Sequence, residues 1–318
     1  MTTSSRKLDH IRICLEKPVD DARNRPFDDL TLVHRALPEI DESDIDTSCR
    51  FLGKKLKAPI IISAMTGGHL GVLEINVRLA QAAQETGVAL GLGSQRAALE
   101  KDELAETFSA ARRAAPDIPI IGNIGAVQLK RSGPKILERL ADMIDADAIA
   151  VHLNFLQESI QPEGDKDACG VLDAIRTAAS GTVPIIVKET GSGISRETAS
   201  DLVEAGVKII DVSGVGGMSW AGVEAYRAAE AGDHELEEMG RLLWSWGVPT
   251  PASIIECKAA GANVIASGGV RSGLDVARSL ALGACMAGTA LPMLAPATKD
   301  SQSVVKAMSG YIRALRIA

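Results

Sequence analysis

With 318 residues, 46% of them hydrophobic, the chain is long enough for one large domain or two domains of ordinary size. A formal net charge of −7 argues against nucleic-acid binding, no apolar run reaches the ~20 residues of a membrane span, and the opening segment MTTSSRKLDHIRIC lacks the apolar core of a signal peptide. Five scattered cysteines without a C-x-x-C pair are typical of reduced thiols, so we expect a soluble, cytoplasmic protein that binds neither nucleic acid nor membrane.

The first 57 residues precede the first predicted strand and contain the polar, proline-bearing segment EKPVDDARNRPFDDL. A unit of this size would be only marginally stable by itself. We therefore expect residues 1–57 to be an N-terminal extension that packs on the main domain, which residues 58–318 form.

From residue 58 onward, short continuous apolar runs alternate with longer segments whose apolar residues lie three or four positions apart. The runs are APIIISAM (58–65), GVALGLG (87–93), IPIIGNI (118–124), DAIAVHL (147–153), VPIIVKE (183–189), VKIIDVS (207–213), ANVIASG (262–268) and GACMAG (283–288). Continuous hydrophobicity predicts strands covered on both faces, as in a parallel sheet, and the spacing between the runs predicts helices. Eight such units favour an α/β fold, a closed (β/α)8 TIM barrel, over the alternative of an open doubly wound sheet.

A long acidic insertion, residues 220–250, separates the sixth and seventh predicted strands. It holds all three tryptophans, Trp220, Trp244 and Trp246. The sequence leaves its role open between a lid over the site and a subunit contact.

Polar residues or glycines follow nearly all eight runs. They are Met65-Thr66-Gly67-Gly68, Ser94-Gln95-Arg96, Asn123, His152-Asn154-Gln157-Glu158, Lys188-Glu189, Ser213-Gly214, Gly268-Gly269-Val270-Arg271 and Ala287-Gly288. The C-terminal strand ends of a barrel meet at one mouth, where active sites are built, whereas an open sheet concentrates its site at one switch point. This distribution favours the closed barrel and predicts one site at its mouth.

The last two strand ends belong to a glycine-rich unit, SGGVRSGLDVARSLALGACMAGTAL, that favours a phosphate site. Gly268 and Gly269 allow the backbone to approach closely, and the N–H groups there and at the next helix N-terminus attract an anion. Arg271 adds positive charge, and barrels commonly bind phosphate with the loops after strands seven and eight. The alternative is a tight turn that needs glycine only for a positive φ.

Lys188 ends a strand of apolar residues, so its charge needs either an anion at the barrel mouth or a path to solvent. Together with the phosphate site, this cation suggests a flavin. A positive charge beside the flavin ring stabilises its reduced, anionic form.

The segment VHLNFLQESIQPEGD carries His152 and Asn154 on one side of a strand and continues into Gln157 and Glu158. A single carboxylate with few protein neighbours is how Mg2+ is usually held when substrate phosphates provide its other ligands. The segment therefore favours a grip on a phosphorylated substrate through a metal ion and hydrogen bonds. A satisfied buried histidine and a solvated loop are the alternatives.

These residues give the chain a resemblance, over essentially its full length, to the type 2 isopentenyl-diphosphate delta-isomerases, which are FMN-dependent barrel enzymes. The shared segments are RKLDHI, AMTGG, GLGSQR, GNIG, HLNFLQESIQPEGD, VKETGSGIS, DVSGVGG, SGGVRSG and MAGTALP. The HLNFLQESIQPEGD segment is specific to that family, whereas many FMN barrels share the glycine-rich end.

The resemblance implies a role for each matching residue, including two from the extension. Substrate ligands would be Arg6, Lys7, Ser94, Gln95, Arg96 and Gln157. FMN contacts would be Ala64, Met65, Thr66, Ser94, Asn123, Lys188, Ser213, Gly269, Val270, Arg271, Ala287 and Gly288. His152, Asn154 and Gln157 would line the catalytic pocket, and Glu158 would bind Mg2+.

The implied reaction converts isopentenyl diphosphate to dimethylallyl diphosphate, a 1,3-allylic shift of isoprenoid biosynthesis without net redox change. The resemblance implies that NAD(P)H reduces FMN beforehand and that proton transfer occurs mainly at N5 of the reduced flavin. Members of the family are often tetramers or octamers, so we expect a homo-oligomer.

The sequence departs from the family at Met218, where a hydroxyl residue usually contacts the flavin phosphate; methionine cannot donate that hydrogen bond. Other readings fit the residues less well. A 2-hydroxy-acid oxidase needs a histidine base near strand seven, and ANVIASGGVR has none. An inosine-monophosphate-type dehydrogenase needs a cysteine after strand six, and GVGGMSWAG has none. A non-catalytic flavin-binding barrel is the reading from another class.

Overall fold

The computed structural model describes residues 3–20 and 25–318, with side chains from residue 6 onward. An antiparallel hairpin, β1 and β2, precedes a closed barrel of eight parallel strands, β3 to β10, in which neighbours along the chain are neighbours in the sheet. The strands are β1 (Cys49–Phe51), β2 (Lys54–Leu56), β3 (Ile60–Ile62), β4 (Ala89–Gly91), β5 (Ile120–Gly125), β6 (Ala148–His152), β7 (Ile185–Lys188), β8 (Ile209–Asp211), β9 (Asn263–Ala266) and β10 (Met286–Thr289). Each barrel strand falls on one predicted run, so the TIM-barrel prediction is confirmed and the open-sheet alternative is wrong.

Fifteen α-helices are described, most of them between barrel strands on the outside of the barrel. They are α1 (Thr3–Glu16), α2 (Leu73–Thr86), α3 (Arg96–Glu100), α4 (Glu106–Ala114), α5 (Ala126–Ser132), α6 (Ile136–Ile144), α7 (Phe155–Ile160), α8 (Val171–Ala179), α9 (Arg196–Glu204), α10 (Trp220–Ala231), α11 (His234–Leu242), α12 (Thr250–Ala259), α13 (Gly273–Ala281), α14 (Leu291–Lys299) and α15 (Ser301–Ile317). Short 3-10 turns cover Pro26–Asp29, Glu42–Asp44, Leu70–Val72 and Asp102–Ala105. None of the helices within the described residues is both long and apolar enough to cross a bilayer.

The core has two layers, which explains why the strands read as continuous apolar runs. In β3, Ile61 points into the barrel interior, while Ile60 and Ile62 pack outward against the helices. Both faces of each strand are therefore covered, as expected for a parallel barrel. Phe51 and Leu56 of the hairpin complete the inner layer at the N-terminal end of the barrel.

Helix α1 of the N-terminal extension packs against α10, the first helix of the insertion. Ile13 and Val223 are fully buried between them, and His10 Nε2 lies 3.0 Å from Glu224 Oε1. The His10 ring also makes an edge contact with Trp220, with centroids 4.9 Å apart. The insertion therefore braces the extension against the C-terminal end of the barrel.

Candidate active site

The main cavity lies at the C-terminal mouth of the barrel, and segments that follow all eight barrel strands line it together with α1. Most of the residues that the sequence predicted for the site are brought together there. They are Arg6, Lys7, Ala64, Met65, Thr66, Ser94, Arg96, Asn123, His152, Asn154, Gln157, Glu158, Lys188, Ser213, Gly269, Val270, Arg271 and Gly288. The closed barrel thus converts strand ends that are distant in sequence into one continuous surface.

Two predicted residues lie outside this lining. The Gln95 side chain is fully buried, donates to Leu140 O at 3.0 Å and accepts from Asn123 N at 3.0 Å, so its amide holds β5 in place. Ala287 is fully buried within β10, where its N–H donates to Pro59 O. The predicted roles of Gln95 at the substrate and of Ala287 at the FMN phosphate stay predictions, and the structure places both side chains behind the cavity wall.

Three cations gather at the mouth of the cavity, two from α1 and one from the start of α3. Lys7 lies close enough to Arg6 and Arg96 that their charges, after the larger effect of burial, lower the pKa of its ammonium to about 8. Arg6 has a buried Nε without a hydrogen-bond partner among the described residues, and its Nη1 lies 3.8 Å from Glu163. Such a concentration of positive charge in an acidic protein is suited to a multiply charged anion.

His152 is neutral in this environment. Loss of water around the imidazole, followed by the nearby charges of Lys188 and Lys7, lowers its pKa to about 3. Its Nδ1 lies 2.6 Å from Asn123 Oδ1. Because an amide oxygen only accepts, Nδ1 carries the proton and Nε2 remains as an acceptor.

The α7 segment presents a carboxylate that is oriented by its neighbours. Glu158 Oε1 accepts from Asn154 Nδ2 at 2.8 Å, and Oε2 accepts from Asp165 N at 2.6 Å. Within the described residues, no group of three or more His, Cys, Asp or Glu side chains is placed to hold a metal ion. A divalent cation at Glu158 would therefore draw its other ligands from substrate oxygens and water.

Glycines from two loops form a narrow cradle on the opposite side of the cavity. Gly269 has a φ of +80°, and a Cβ there would lie 2.6 Å from Gly216 O; a Cβ on Gly217 would lie 2.6 Å from Gly269 N. The N–H groups of Gly268 and Gly269 make no hydrogen bond to any described residue. Such backbone is suited to the close approach of a phosphate group.

Arg271, predicted to add charge to this cradle, shares its guanidinium with other partners. Its Nη2 lies 3.0 Å from Asp20 Oδ1, and its Nη1 donates to Gly216 O at 2.7 Å. The Arg271 side chain thus links Asp20 of the extension to the cradle while it still borders the cavity.

The floor of the cavity carries buried hydroxyl groups and a lysine. Ser63 Oγ and Thr66 Oγ1 are buried without a hydrogen-bond partner among the described residues. Lys188 is buried in the same cavity, and among the described residues its Nζ donates only to the neighbouring Glu189 O, at 2.6 Å. A cation, free hydroxyls and a glycine cradle in one cavity fit the ring and phosphate of FMN.

The sequence reasoning missed a buried network that supports Gln157. Glu224 of the insertion is fully buried and accepts from Gln157 Nε2 at 3.0 Å and from Arg227 Nη1 at 2.6 Å, besides its contact with His10. These partners hold the pKa of Glu224 at about 2 despite its burial. The sequence analysis did not identify His10, although its i, i+3 spacing from Lys7 places both on one face of α1, and nothing in the acidic insertion distinguished Glu224 from its solvated neighbours.

The chain is similar to a known protein family and to solved structures that share its fold. The model of the FMN-dependent dehydrogenase family matches residues 3–116 and 134–314. Among solved structures, a mandelate oxidase variant with a monooxide FMN adduct has a TM-score of 0.60 at 19% identity, covering 100% of this chain and 87% of its own. A mandelate oxidase with (S)-2-phenylpropionate has a TM-score of 0.59 at 20% identity, covering 87% and 78%. These structural neighbours share the fold, and the chain belongs to the FMN-dependent dehydrogenase family.

Relatives with higher sequence identity show which enzymes within this family the chain resembles. The isopentenyl-diphosphate delta-isomerase of Methanothrix thermoacetophila is 62% identical over 100% of this chain and 88% of its own length. The isopentenyl-diphosphate delta-isomerase of Methanococcoides burtonii is 52% identical with the same coverage. The relatives thus place the chain among the isopentenyl-diphosphate delta-isomerases, and the resemblance read from its motifs is confirmed.

Proposed function

We propose that this protein is an FMN-dependent isopentenyl-diphosphate delta-isomerase that converts isopentenyl diphosphate to dimethylallyl diphosphate. The observation that carries the proposal is that one cavity combines two anion-binding regions. The glycine cradle around Gly269 suits the single phosphate of FMN, and the cluster of Arg6, Lys7 and Arg96 suits a diphosphate. The relatives named above carry the activity in their names.

Two sets of residues in the cavity would bind the two parts of FMN, its phosphate and its ring. The Gly269 and Gly288 loops would hold the FMN phosphate, while Lys188 and the free hydroxyls of Ser63 and Thr66 would face its ring. When bound in its reduced state, FMN supplies an electron-rich face and a nitrogen that exchanges protons with carbon. Lys188 would balance the negative charge of that state at the cavity floor.

His152 and its neighbours orient the substrate rather than ionise. A histidine whose pKa lies near 3 is neutral at pH 7, so His152 offers the bare Nε2 as an acceptor and cannot serve as a cationic acid. Gln157, fixed by Glu224, presents an amide to the same region. These groups would hold the carbon chain at a fixed height over the ring and exclude water.

Glu158 would bind Mg2+ together with the substrate diphosphate, and Lys7 and Arg6 would neutralise the remaining charge. The proposal also includes NAD(P)H as the reductant of FMN and a homo-oligomeric assembly of four or eight chains. Glu158 retains an ordered orientation through Asn154, which supports a metal contact at this carboxylate.

The mandelate oxidase fold favours one other candidate, an FMN-dependent 2-hydroxy-acid oxidase. That chemistry needs a histidine base after the seventh barrel strand. Here β9 is followed by Ser267, Gly268, Gly269 and Val270. The cavity therefore supports the isomerase better than the oxidase.

The test is an anaerobic incubation of the purified protein with FMN, NADPH, Mg2+ and isopentenyl diphosphate, followed by product analysis. We expect dimethylallyl diphosphate, with no NADPH consumed beyond the amount that reduces FMN. A parallel aerobic assay with lactate and mandelate should give no oxidation. Glu158→Gln should retain FMN and lose about 100-fold or more in turnover, because a metal ligand is lost. Full activity in that variant would reject the metal role of Glu158. Oxidase activity of the parent without isomerisation would reject the proposal.

A further inference from the structure

A second, much smaller cavity of about 20 Å3 lies inside the barrel and shares Ser63, Asn123 and Lys188 with the main cavity. Most of its remaining wall is apolar, from inward-facing residues such as Ile121 and Ile186. A space of this size holds one water molecule, provided that polar groups line it.

Asp211 is the carboxylate of that wall. It lies at the end of β8 and is 4% exposed, and its Oδ1 accepts from Ser267 Oγ at 2.5 Å. Burial raises the pKa of Asp211, whereas the Lys188 charge and the hydrogen bonds from Ser267 and the Ser213 N–H oppose that rise. A carboxylate at this depth requires a compensating charge.

Lys188 provides that charge from the adjacent strand. The parallel register pairs Lys188 with Asp211 on one side and with His152 on the other. Lys188 Nζ donates to Glu189 O, and both Lys188 and Asp211 border the small cavity. Lys188 and Asp211 are therefore neighbours across the β7–β8 pairing and share the wall of a space of water size.

Ser63 adds a third polar group to the same space. Its Oγ is buried, has no hydrogen-bond partner among the described residues and borders both cavities. A water bound there would accept from Lys188 and donate to Asp211, with Ser63 as a third partner. Three hydrogen bonds are the usual number for a buried water.

We propose that Asp211 is a positioning residue that keeps the Lys188 ammonium charged at the cavity floor, acting across the small cavity through one bound water. An isolated buried ammonium tends to lose its proton, because burial disfavours the charged form. The other ionisable groups that face Lys188 are neutral His152 on β6 and Glu189 in its own loop, whose carboxylate is engaged by the Thr190, Gly191 and Ser192 N–H groups. Asp211, unlike Glu189, borders the small cavity together with Lys188, so it is the carboxylate placed to act across that space.

This inference extends the proposed function, since the cation that Asp211 maintains is the one that would face the flavin ring. Its first test does not depend on FMN. Lysine Cε and Nζ signals of the apoprotein, assigned by comparison with Lys188→Met, are followed by NMR against pH in the parent and in Asp211→Asn. The asparagine retains an acceptor for Ser267, and Asp201→Asn on the exposed face of α9 removes the same charge elsewhere as a control.

In Asp211→Asn we expect Lys188 to lose its proton at a pH at least one unit lower than in the parent, which is a tenfold change in the equilibrium. Asp201→Asn should show no change. Ser267→Ala, which keeps the Asp211 charge and removes its hydrogen bond, should not lower the pH at which Lys188 loses its proton. An unchanged Lys188 titration in folded Asp211→Asn would overturn the proposal, as would the absence of a water between Lys188 and Asp211 in a high-resolution crystal structure.

A second measurement separates this inference from the proposed function. Affinity for reduced FMN, determined by anaerobic titration, should weaken with rising pH at least tenfold more in Asp211→Asn than in the parent. If FMN binds to neither protein, the proposed function fails while the NMR result for Lys188 still decides the role of Asp211.

Discussion

Burial and neighbouring positive charges lower the pKa of Lys7. In the free protein, burial together with Arg6 and Arg96 lowers the pKa of Lys7 to about 8, so the ammonium begins to lose its proton just above neutral pH. A diphosphate would bind the charged form. We therefore predict that kcat/KM for isopentenyl diphosphate falls about tenfold per pH unit well above pH 8, as for one essential ionisation of the free enzyme.

Lys7→Arg should remove this alkaline limb, because a guanidinium stays charged throughout the range. Lys57→Arg, at an exposed position outside the cavity, serves as the control and should keep the parent profile. An alkaline limb that persists unchanged in Lys7→Arg would assign the ionisation to another group.

The low pKa of His152 predicts how the free energy of unfolding depends on pH. Its pKa is about 3 in the folded protein and near 6.5 when unfolded, so the unfolded chain binds a proton that the folded chain does not as pH falls below 6.5. The contribution of His152 to stability is complete above pH 6.5 and is lost progressively toward pH 3. Between pH 7 and pH 5 this loss is about 2 kcal/mol.

His152→Asn should therefore show a smaller acid destabilisation than the parent between pH 7 and pH 5, measured by urea unfolding at both pH values. The exposed His34→Asn variant is the matched control and should behave like the parent. Equal acid destabilisation in all three proteins would show that His152 titrates normally.

At the residue scale, motifs in the sequence predicted which positions border the cavity, but they did not predict the direction of each side chain. Ser94 and Arg96 line the cavity, yet Gln95 between them points into the barrel wall, because the chain turns from β4 into α3 at that point. No pattern of residue types reports such a turn. The same applies to Asp211, a polar residue in an apolar strand that the sequence reasoning did not single out.

At the scale of elements, the eight barrel strands were predictable because burial on both faces leaves a continuous apolar signature. The β1–β2 hairpin was not predictable from the sequence. Each of its strands is three residues long and contains charged residues, and its turn uses Leu52 at φ +48° before Gly53 at φ +79°. That turn conformation normally favours asparagine or aspartate before glycine, so the usual hairpin signal is absent.

The glycine cradle provides a prediction for one loop. In Gly269→Ala the new methyl would meet Gly216 O at 2.6 Å in backbone of φ +80°, so the loop must move away from the phosphate position. We expect FMN affinity, measured by absorbance titration, to fall at least tenfold, about 1.4 kcal/mol. Gly283→Ala is the control, because it has a similar strain at φ +102° but lies outside the cavity lining.

If Gly283→Ala binds FMN normally, backbone strain alone does not weaken FMN binding, and the loss in Gly269→Ala comes from the position of Gly269 in the cavity. If Gly269→Ala also binds FMN normally, the phosphate does not occupy this cradle.

At the scale of the whole molecule, the extension and the insertion complete a site that the barrel alone does not close. The barrel supplies the glycine cradle and Lys188, whereas α1 supplies Arg6 and Lys7 and is held by Glu224 of the insertion. Removal of residues 1–7 should therefore raise KM for isopentenyl diphosphate at least tenfold through two lost charged contacts.

The melting temperature of this truncated protein should change by only a few degrees, because Ile13 and His10 keep α1 docked on α10. Kinetics and thermal unfolding on the same preparation make the comparison. A normal KM would mean that the extension has only a structural role.

A crystal structure of the protein with FMN, Mg2+ and isopentenyl diphosphate would show whether the flavin and the diphosphate bind in one cavity. We expect FMN phosphate density against Gly269 and Gly288, the flavin ring beside Lys188, and the diphosphate between Lys7 and a cation on Glu158. Density for either molecule outside the barrel mouth, with this cavity filled by solvent, would contradict this expectation.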